Sequence, residues 1–217
     1  MKRIIALLMS AVMLLSACVM TLTSCGEADA THYVTFVIEY DGYSGERLSQ
    51  EVTIELYGEE APITVENFVG LCKEGYYNGT VFHRIVDTFM VQGGDGDGKA
   101  DGISKDNKPT IKGEFSENGV DNPILHERGT ISMARSMDRD SASTQFFIVL
   151  MTSENNTKSL DGKYAAFGKV VKGMFVFDTV SRGINDDWGG GYGYKGTRPE
   201  IVSTVVETAE EYERRVG

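Results

Sequence analysis

The chain has 217 residues, 41% of them hydrophobic and 24% charged, and a formal net charge of −11. That length has room for one domain with a sizeable core. No basic stripe is present that could track a phosphate backbone, so nucleic-acid binding is not expected; the acidity favours solubility and repulsion from anionic surfaces.

Residues 1–25 read as a targeting segment outside the fold. Lys2 and Arg3 form a short basic start, and residues 4–15 are almost wholly apolar. Removing Lys2 and Arg3 leaves the mature chain more acidic still. Two tetrads, Leu15-Ser16-Ala17-Cys18 and Leu22-Thr23-Ser24-Cys25, resemble bacterial lipoprotein cleavage sites, where a small residue precedes a cysteine that becomes lipid-modified. Cys25 is favoured for lipidation because the chain turns polar at once after it (Gly26, Glu27, Asp29), whereas Val19, Met20 and Leu22 follow Cys18. A plain secretory signal is the alternative. A permanent span is disfavoured, since the apolar stretch falls short of the ~20 residues a spanning helix needs. The leader implies an extracytoplasmic protein, lipid-anchored to a bacterial cell membrane or else secreted. Cys72 has no partner once the other two cysteines are removed or lipidated, which excludes a disulfide framework. Its place on an apolar helix stripe marks it as a buried, inert thiol.

Residues 26–31 form a polar tether, and residues 32–217 form the domain. Val34, Phe36, Ile38 and Tyr40 alternate with more polar neighbours, as in a half-buried strand, and Val52, Ile54 and Leu56 repeat the pattern after a turn over 41–45. Pro62 opens a helix in which Val65, Phe68, Val69 and Cys72 make one apolar stripe, and Gly75 ends it. Short strands are predicted over 81–86, 89–94, 129–134, 145–151 and 164–171, a second helix over 173–182, and a last strand over 200–207. Eight short strands and two helices without βαβ order predict a closed antiparallel barrel. Asn78-Gly79-Thr80 and Asn155-Asn156-Thr157 are formal glycosylation acceptors that a bacterial leader makes chance matches. The Gly- and Asp-rich loop 96–109 fails calcium-hand spacing at Lys99 and Ala100 counted from Asp95, and at Lys99 and Lys108 counted from Asp97, so no metal is assigned there. The loop 186–196, with Trp188 and several glycines, is flexible by composition.

Three runs carry the functional signal: Phe82-His83-Arg84-Ile85, Phe89-Met90-Val91-Gln92-Gly93-Gly94-Asp95 and Ser143-Thr144-Gln145-Phe146-Phe147. Taken singly, Arg84 would be a surface arginine, and Phe89, Met90 and Phe147 would be core. Jointly they resemble the cyclophilin family of peptidyl-prolyl cis-trans isomerases, over roughly residues 33–207. The resemblance implies a mainly β fold, a closed eight-stranded antiparallel barrel with a helix plugging each end, packed inside and carrying its active site on the outer wall. It implies catalytic roles for Arg84, Phe89 and Gln92. It implies substrate contacts from Met90, Ala134, Arg135, Gln145, Phe147, Leu160 and Tyr164, with Phe89, Met90, Phe147 and Leu160 forming the proline pocket. No cofactor is implied. Proline-containing polypeptides are the expected substrates and a monomer the expected state. His83, beside Arg84 on a strand, points to the opposite face and reads as structural.

The chemistry suits these residue types. Rotation about an Xaa-Pro bond meets a barrier near ~20 kcal/mol because the amide has partial double-bond character. A catalyst need only favour the twisted state, in which the prolyl nitrogen regains a lone pair; lowering the barrier by ~7 kcal/mol gives about 10^5-fold. Arg84 offers forked donors of fixed charge. Three positions depart from the family pattern. Arg135 stands where many members have asparagine, Tyr164 where histidine is common, and Ser159 where many eukaryotic members have a tryptophan that contacts cyclosporin; weak cyclosporin binding is therefore expected. The loop 96–109 is also longer than usual. Two other readings stay open. One is a binding module with vestigial catalysis, which retention of Arg84, Phe89, Gln92 and Phe147 opposes. The other is a ligand-carrying barrel, which the bulky Val34, Phe36, Ile38, Val52, Ile54, Leu56 and Phe167 would fill instead.

Overall fold

The computed structural model describes residues 28–96, 108–155, 157–182 and 197–217. The targeting segment with Cys18 and Cys25, most of the loop 96–109, and the loop 186–196 with Trp188 lie outside the described residues.

Alternation of apolar and polar residues produces long paired strands at the start of the domain. β1 (His32–Asp41) and β2 (Arg47–Leu56) pair antiparallel along their full length, from His32 opposite Leu56 to Asp41 opposite Arg47. The strands β3 (Thr80–Val81), β4 (Arg84–Val86), β5 (Met90–Gly93), β6 (Thr130–Met133), β7 (Phe146–Val149), β8 (Ala166–Lys172) and β9 (Glu200–Thr208) complete one antiparallel sheet in the order β3-β9-β1-β2-β8-β6-β7-β5-β4.

Among the described residues, nine strands in an open order replace the closed eight-stranded barrel read from the sequence. The segment predicted as one strand over 81–86 breaks at Phe82-His83, and its halves become the two opposite edges of the sheet. The break has a physical cause. Phe82 turns its ring into the core, edge-on to Phe146 and Phe177 at centroid distances of 6.2 and 5.4 Å, and its N–H donates to Pro199 O at 2.9 Å. Three chain steps from Val81 to Arg84 reach at most about 11 Å. The sheet therefore curls until its edges are neighbours, although no ladder joins β3 to β4 among the described residues.

The concave side of the curl is filled by side chains, as the bulky strand residues require. Phe36, Phe68, Tyr77, Phe146 and Phe167 are buried and pack mostly edge-to-face. Helix α1 (Pro62–Lys73) buries Val65, Phe68, Val69, Leu71 and Cys72 in this core; burial pushes the Cys72 thiol far above its ordinary pKa, so it stays protonated. The N-cap position of α1, Ala61, has no side chain able to accept a bond. Glu114 does that work from 50 residues away, accepting from Ile63 N at 3.1 Å, Thr64 N at 2.8 Å and Thr64 Oγ1 at 2.7 Å. A carboxylate suits the positive end of the helix and satisfies two of its orphan donors. Helix α2 (Phe175–Arg182) buries Val176, Phe177 and Val180.

A third helix, α3 (Ala209–Val216), follows β9 directly. Thr208 and Glu211 form a capping box at its start. Tyr212 stacks on Tyr33 of β1 with ring centroids 3.9 Å apart, and Arg215 makes two bonds of 2.7 Å to Glu207. Among the described residues no helix is long and apolar enough to cross a membrane.

Candidate active site

The period of two along a strand divides the β4–β5–β7–β6 wall into two faces. Ile85, Val91, Ile148 and Ile131 lie opposite one another in register across the four strands and point into the main core. The alternate row, Arg84, Gln92, Phe147 and Ser132, therefore faces the outside of the wall. One step along the strands, Val86, Met90 and Val149 make the next outward row. Met90, Phe147 and Val149 are buried in a second, small apolar cluster against Val86, Phe89, Ala134, Leu160 and Tyr164.

This outer face carries a groove of about 300 Å³ lined by Arg84, Phe89, Met90, Gln92, Ala134, Arg135, Phe147, Leu160 and Tyr164. Every catalytic and substrate-contact residue named from the sequence except Gln145 lines it. Gln145, the remaining one, joins through hydrogen bonds. Arg84 Nη1 donates to Gln92 Oε1 at 3.4 Å, and Gln92 Nε2 donates to Gln145 Oε1 at 2.8 Å. Gln145 O accepts from Ala134 N at 2.9 Å. A polar chain thus runs beside an apolar floor.

Local structure holds each part in place. Between β4 and β5, Phe89 N bonds Val86 O at 3.1 Å, closing a turn in which Thr88 has φ +58. A β-branched residue in the left-handed region is strained. Asp87 Oδ1 offsets part of that by accepting from Thr88 N at 2.9 Å. Gly94 ends β5 at φ +84, where a Cβ would stand 2.6 Å from Thr144 O. The 143–145 segment is pinned from the core side, by Asn67 Nδ2 to Ser143 O at 2.8 Å and Tyr77 Oη to Thr144 O at 2.9 Å.

Phe147 is braced from behind by a polar group that the sequence did not reveal. The His126 ring stacks parallel to Phe147, with centroids 6.0 Å apart and planes 15° from parallel. His126 Nδ1 lies 2.9 Å from Asp161 Oδ1 and Nε2 lies 3.0 Å from Ser132 Oγ. Burial lowers the His126 pKa below its ordinary value, against the opposing pull of Asp161. The ring is therefore neutral at neutral pH: Nδ1–H donates to Asp161, and Nε2 accepts from Ser132. Ser132 is fully buried. The Ser-His-Asp order is thus a brace with no substrate access, and it makes no nucleophile. His126 stands 21 positions before Phe147 in no local motif, so only the fold could bring it there. His83 is buried, consistent with a structural place, but it sits in the break between β3 and β4 and not on a strand.

At the other end of the groove, Arg135 folds back on its wall. Nε and Nη2 donate to Lys163 O at 3.0 and 2.8 Å, and Nη1 donates to Ser136 O at 2.8 Å. Its guanidinium carbon lies 4.5 Å from the Tyr164 ring centre and 5.3 Å from that of Phe115. Among the described residues, no group of three or more His, Cys, Asp or Glu could hold a metal.

The structure thus combines a curled antiparallel sheet with an outer-wall groove that has an apolar floor and an arginine beside it. The model of the family "Cyclophilin type peptidyl-prolyl cis-trans isomerase/CLD" matches residues 41–204. Peptidyl-prolyl cis-trans isomerase A of Dickeya dadantii is 39% identical over 155 residues, covering 71% of this chain and 77% of that protein. Peptidyl-prolyl cis-trans isomerase B of Escherichia coli K12 is 40% identical over 134 residues, 60% of this chain and 77% of its own. In the fold, a cyclophilin type isomerase of Cryptosporidium parvum superposes with a TM-score of 0.64 at 23% identity, covering 82% of this chain and 98% of that one. The chain belongs to the cyclophilin family and is a peptidyl-prolyl cis-trans isomerase of that type.

Proposed function

We propose that this isomerase accelerates Xaa-Pro rotation in exported proteins and so assists their folding outside the cytoplasm, held to the membrane by a lipid on Cys25. The observation that carries the catalytic part is the groove itself, in which Arg84 stands in register with Gln92 beside the Phe89, Met90, Phe147 and Leu160 floor. A proline ring fits an apolar floor of this size. A crystal structure of the Cryptosporidium parvum protein was determined in the presence of the dipeptide Ala-Pro. As the Xaa-Pro bond twists, the prolyl nitrogen becomes an acceptor, and the Arg84 guanidinium donates to it and to the neighbouring carbonyl. Gln92, itself tethered to Gln145, holds Arg84 in line and meets the substrate backbone. Ala134, Arg135 and Tyr164 border the flanking chain.

The cellular part rests on the leader: its basic start, its apolar run, and a small residue before Cys25 followed by a polar tether. Exchange NMR on an Ala-Ala-Pro-Phe peptide tests the catalysis. Strong acceleration that collapses in Arg84→Ala supports it, and a folded parent without acceleration leaves a peptide-binding module. Metabolic labelling with a fatty acid tests the anchor: label lost in Cys25→Ser and kept in Cys18→Ser supports Cys25, and the reverse moves the anchor to Cys18.

A further inference from the structure

The groove lining includes two cations, Arg84 and Arg135, and no carboxylate, on a chain of net charge −11. Arg135 has the more telling surroundings. Its three bonds go to neutral carbonyl oxygens, Lys163 O and Ser136 O. Among the described residues, no carboxylate forms an ion pair with it. A guanidinium has five N–H donors, so one on each terminal nitrogen remains. The side chain is also ordered before any ligand arrives, being clasped by Lys163 O and stacked on Tyr164 at 4.5 Å. Little rotamer freedom is left to lose on binding, and the Tyr164 ring shields one face from water.

We propose that Arg135 is a specificity residue of this isomerase, selecting proline-containing chains that carry a carboxylate close to the proline. The proposal rests on the groove being the peptide site. A carboxylate from an Asp or Glu side chain accepts the two remaining N–H donors. The pair forms at the groove edge while the proline ring occupies the apolar floor. A lysine at the same place meets a fixed positive charge and is rejected. The asparagine common at this position in the family has no charge to exert this selection, so the preference belongs to the arginine.

The test is a set of proline peptides with Glu, Ala or Lys placed one residue before, two residues before, or one residue after the proline. Turnover by exchange NMR and affinity by titration calorimetry are measured for each. For at least one position, the parent is expected to favour Glu over Ala about fivefold, with Lys below Ala, the size of one partly exposed ion pair. The gap shrinks at about 0.5 M salt, where the Debye length falls to a few ångströms. Arg135→Gln brings the three peptides within about twofold of one another, and Arg135→Lys, which keeps charge and loses the fork, retains part of the preference. Equal parent values at every position overturn the proposal, as does a Glu preference that survives in Arg135→Gln. A drop shared equally by all peptides in Arg135→Gln overturns it too, leaving Arg135 as a brace for Lys163 and Tyr164. If the parent binds the peptides without turning them over, the catalytic reading of the groove falls while the affinities still decide the selectivity. Absence of both binding and turnover overturns both.

Discussion

Arg84 and Gln92 stand directly opposite each other on β4 and β5, and Arg84 Nη1 reaches Gln92 Oε1 at 3.4 Å. That bond is long, while the next one, from Gln92 Nε2 to Gln145, is short at 2.8 Å. Gln92 is thus held more firmly by Gln145 than by Arg84. Gln92→Ala removes the guide and keeps the donor, and a loss of about tenfold in kcat/KM is expected. Arg84→Lys keeps charge and loses the fork, and a loss of about 10^2-fold is expected. Peptide isomerisation rates check both; a Gln92→Ala loss equal to that of Arg84→Lys would show that Gln92 acts on the substrate itself.

The His126 brace makes stability depend on pH. Its pKa is below the ordinary 6.5 because the buried ring resists charge. The unfolded chain takes up the proton first as pH falls. The stability held by neutral His126 is therefore complete above about pH 6.5 and is lost as pH drops through the lowered folded value. His32, also lowered chiefly by burial, adds in the same sense. His126→Gln is expected to lower the Tm at neutral pH and to flatten its decline between about pH 7 and pH 5. An unchanged slope would assign the acid sensitivity elsewhere.

Glu114 caps α1 from a distance, and its loss strands two N–H groups and the Thr64 hydroxyl in the interior. Glu114→Ala is expected to cost about 2–3 kcal/mol by urea unfolding, and Glu114→Gln less, since the amide oxygen still accepts. Because α1 does not line the groove, kcat/KM of the folded fraction should hold within about twofold.

Tyr212 ties α3 to the start of β1 through its stack on Tyr33. Tyr212→Ala is expected to lose about 1 kcal/mol and leave the isomerisation rate unaltered. A larger loss, or reduced catalysis, would mean that α3 supports more of the sheet than this edge.

Ser159 stands where many eukaryotic relatives contact cyclosporin with tryptophan. The variant Ser159→Trp is expected to tighten cyclosporin inhibition at least tenfold over a weak parent value. A parent inhibition constant in the low-micromolar range or tighter would sink the expectation.

Much of this protein was legible in the chain. The period-two runs at 34–40 and 52–56 and the stripe Val65, Phe68, Val69 and Cys72 are local, and local patterns report directly on which face of a strand or helix is buried, while Arg84, Phe89, Gln92 and Phe147 were legible through the joint family resemblance of their separate runs. The tertiary structure decided what distant residues do to one another. It broke the segment 81–86 so that one strand became two sheet edges, because the Phe82 ring has its partners in β7 and α2. It placed Glu114 at the head of α1 and His126 behind Phe147. It folded Arg135 onto Tyr164, where its three hydrogen bonds among the described residues go to carbonyl oxygens. The physical reason is one of range. Patterning acts within a turn of helix or a few strand residues, whereas caps, braces and charge partners depend on separations in space that the chain order does not encode.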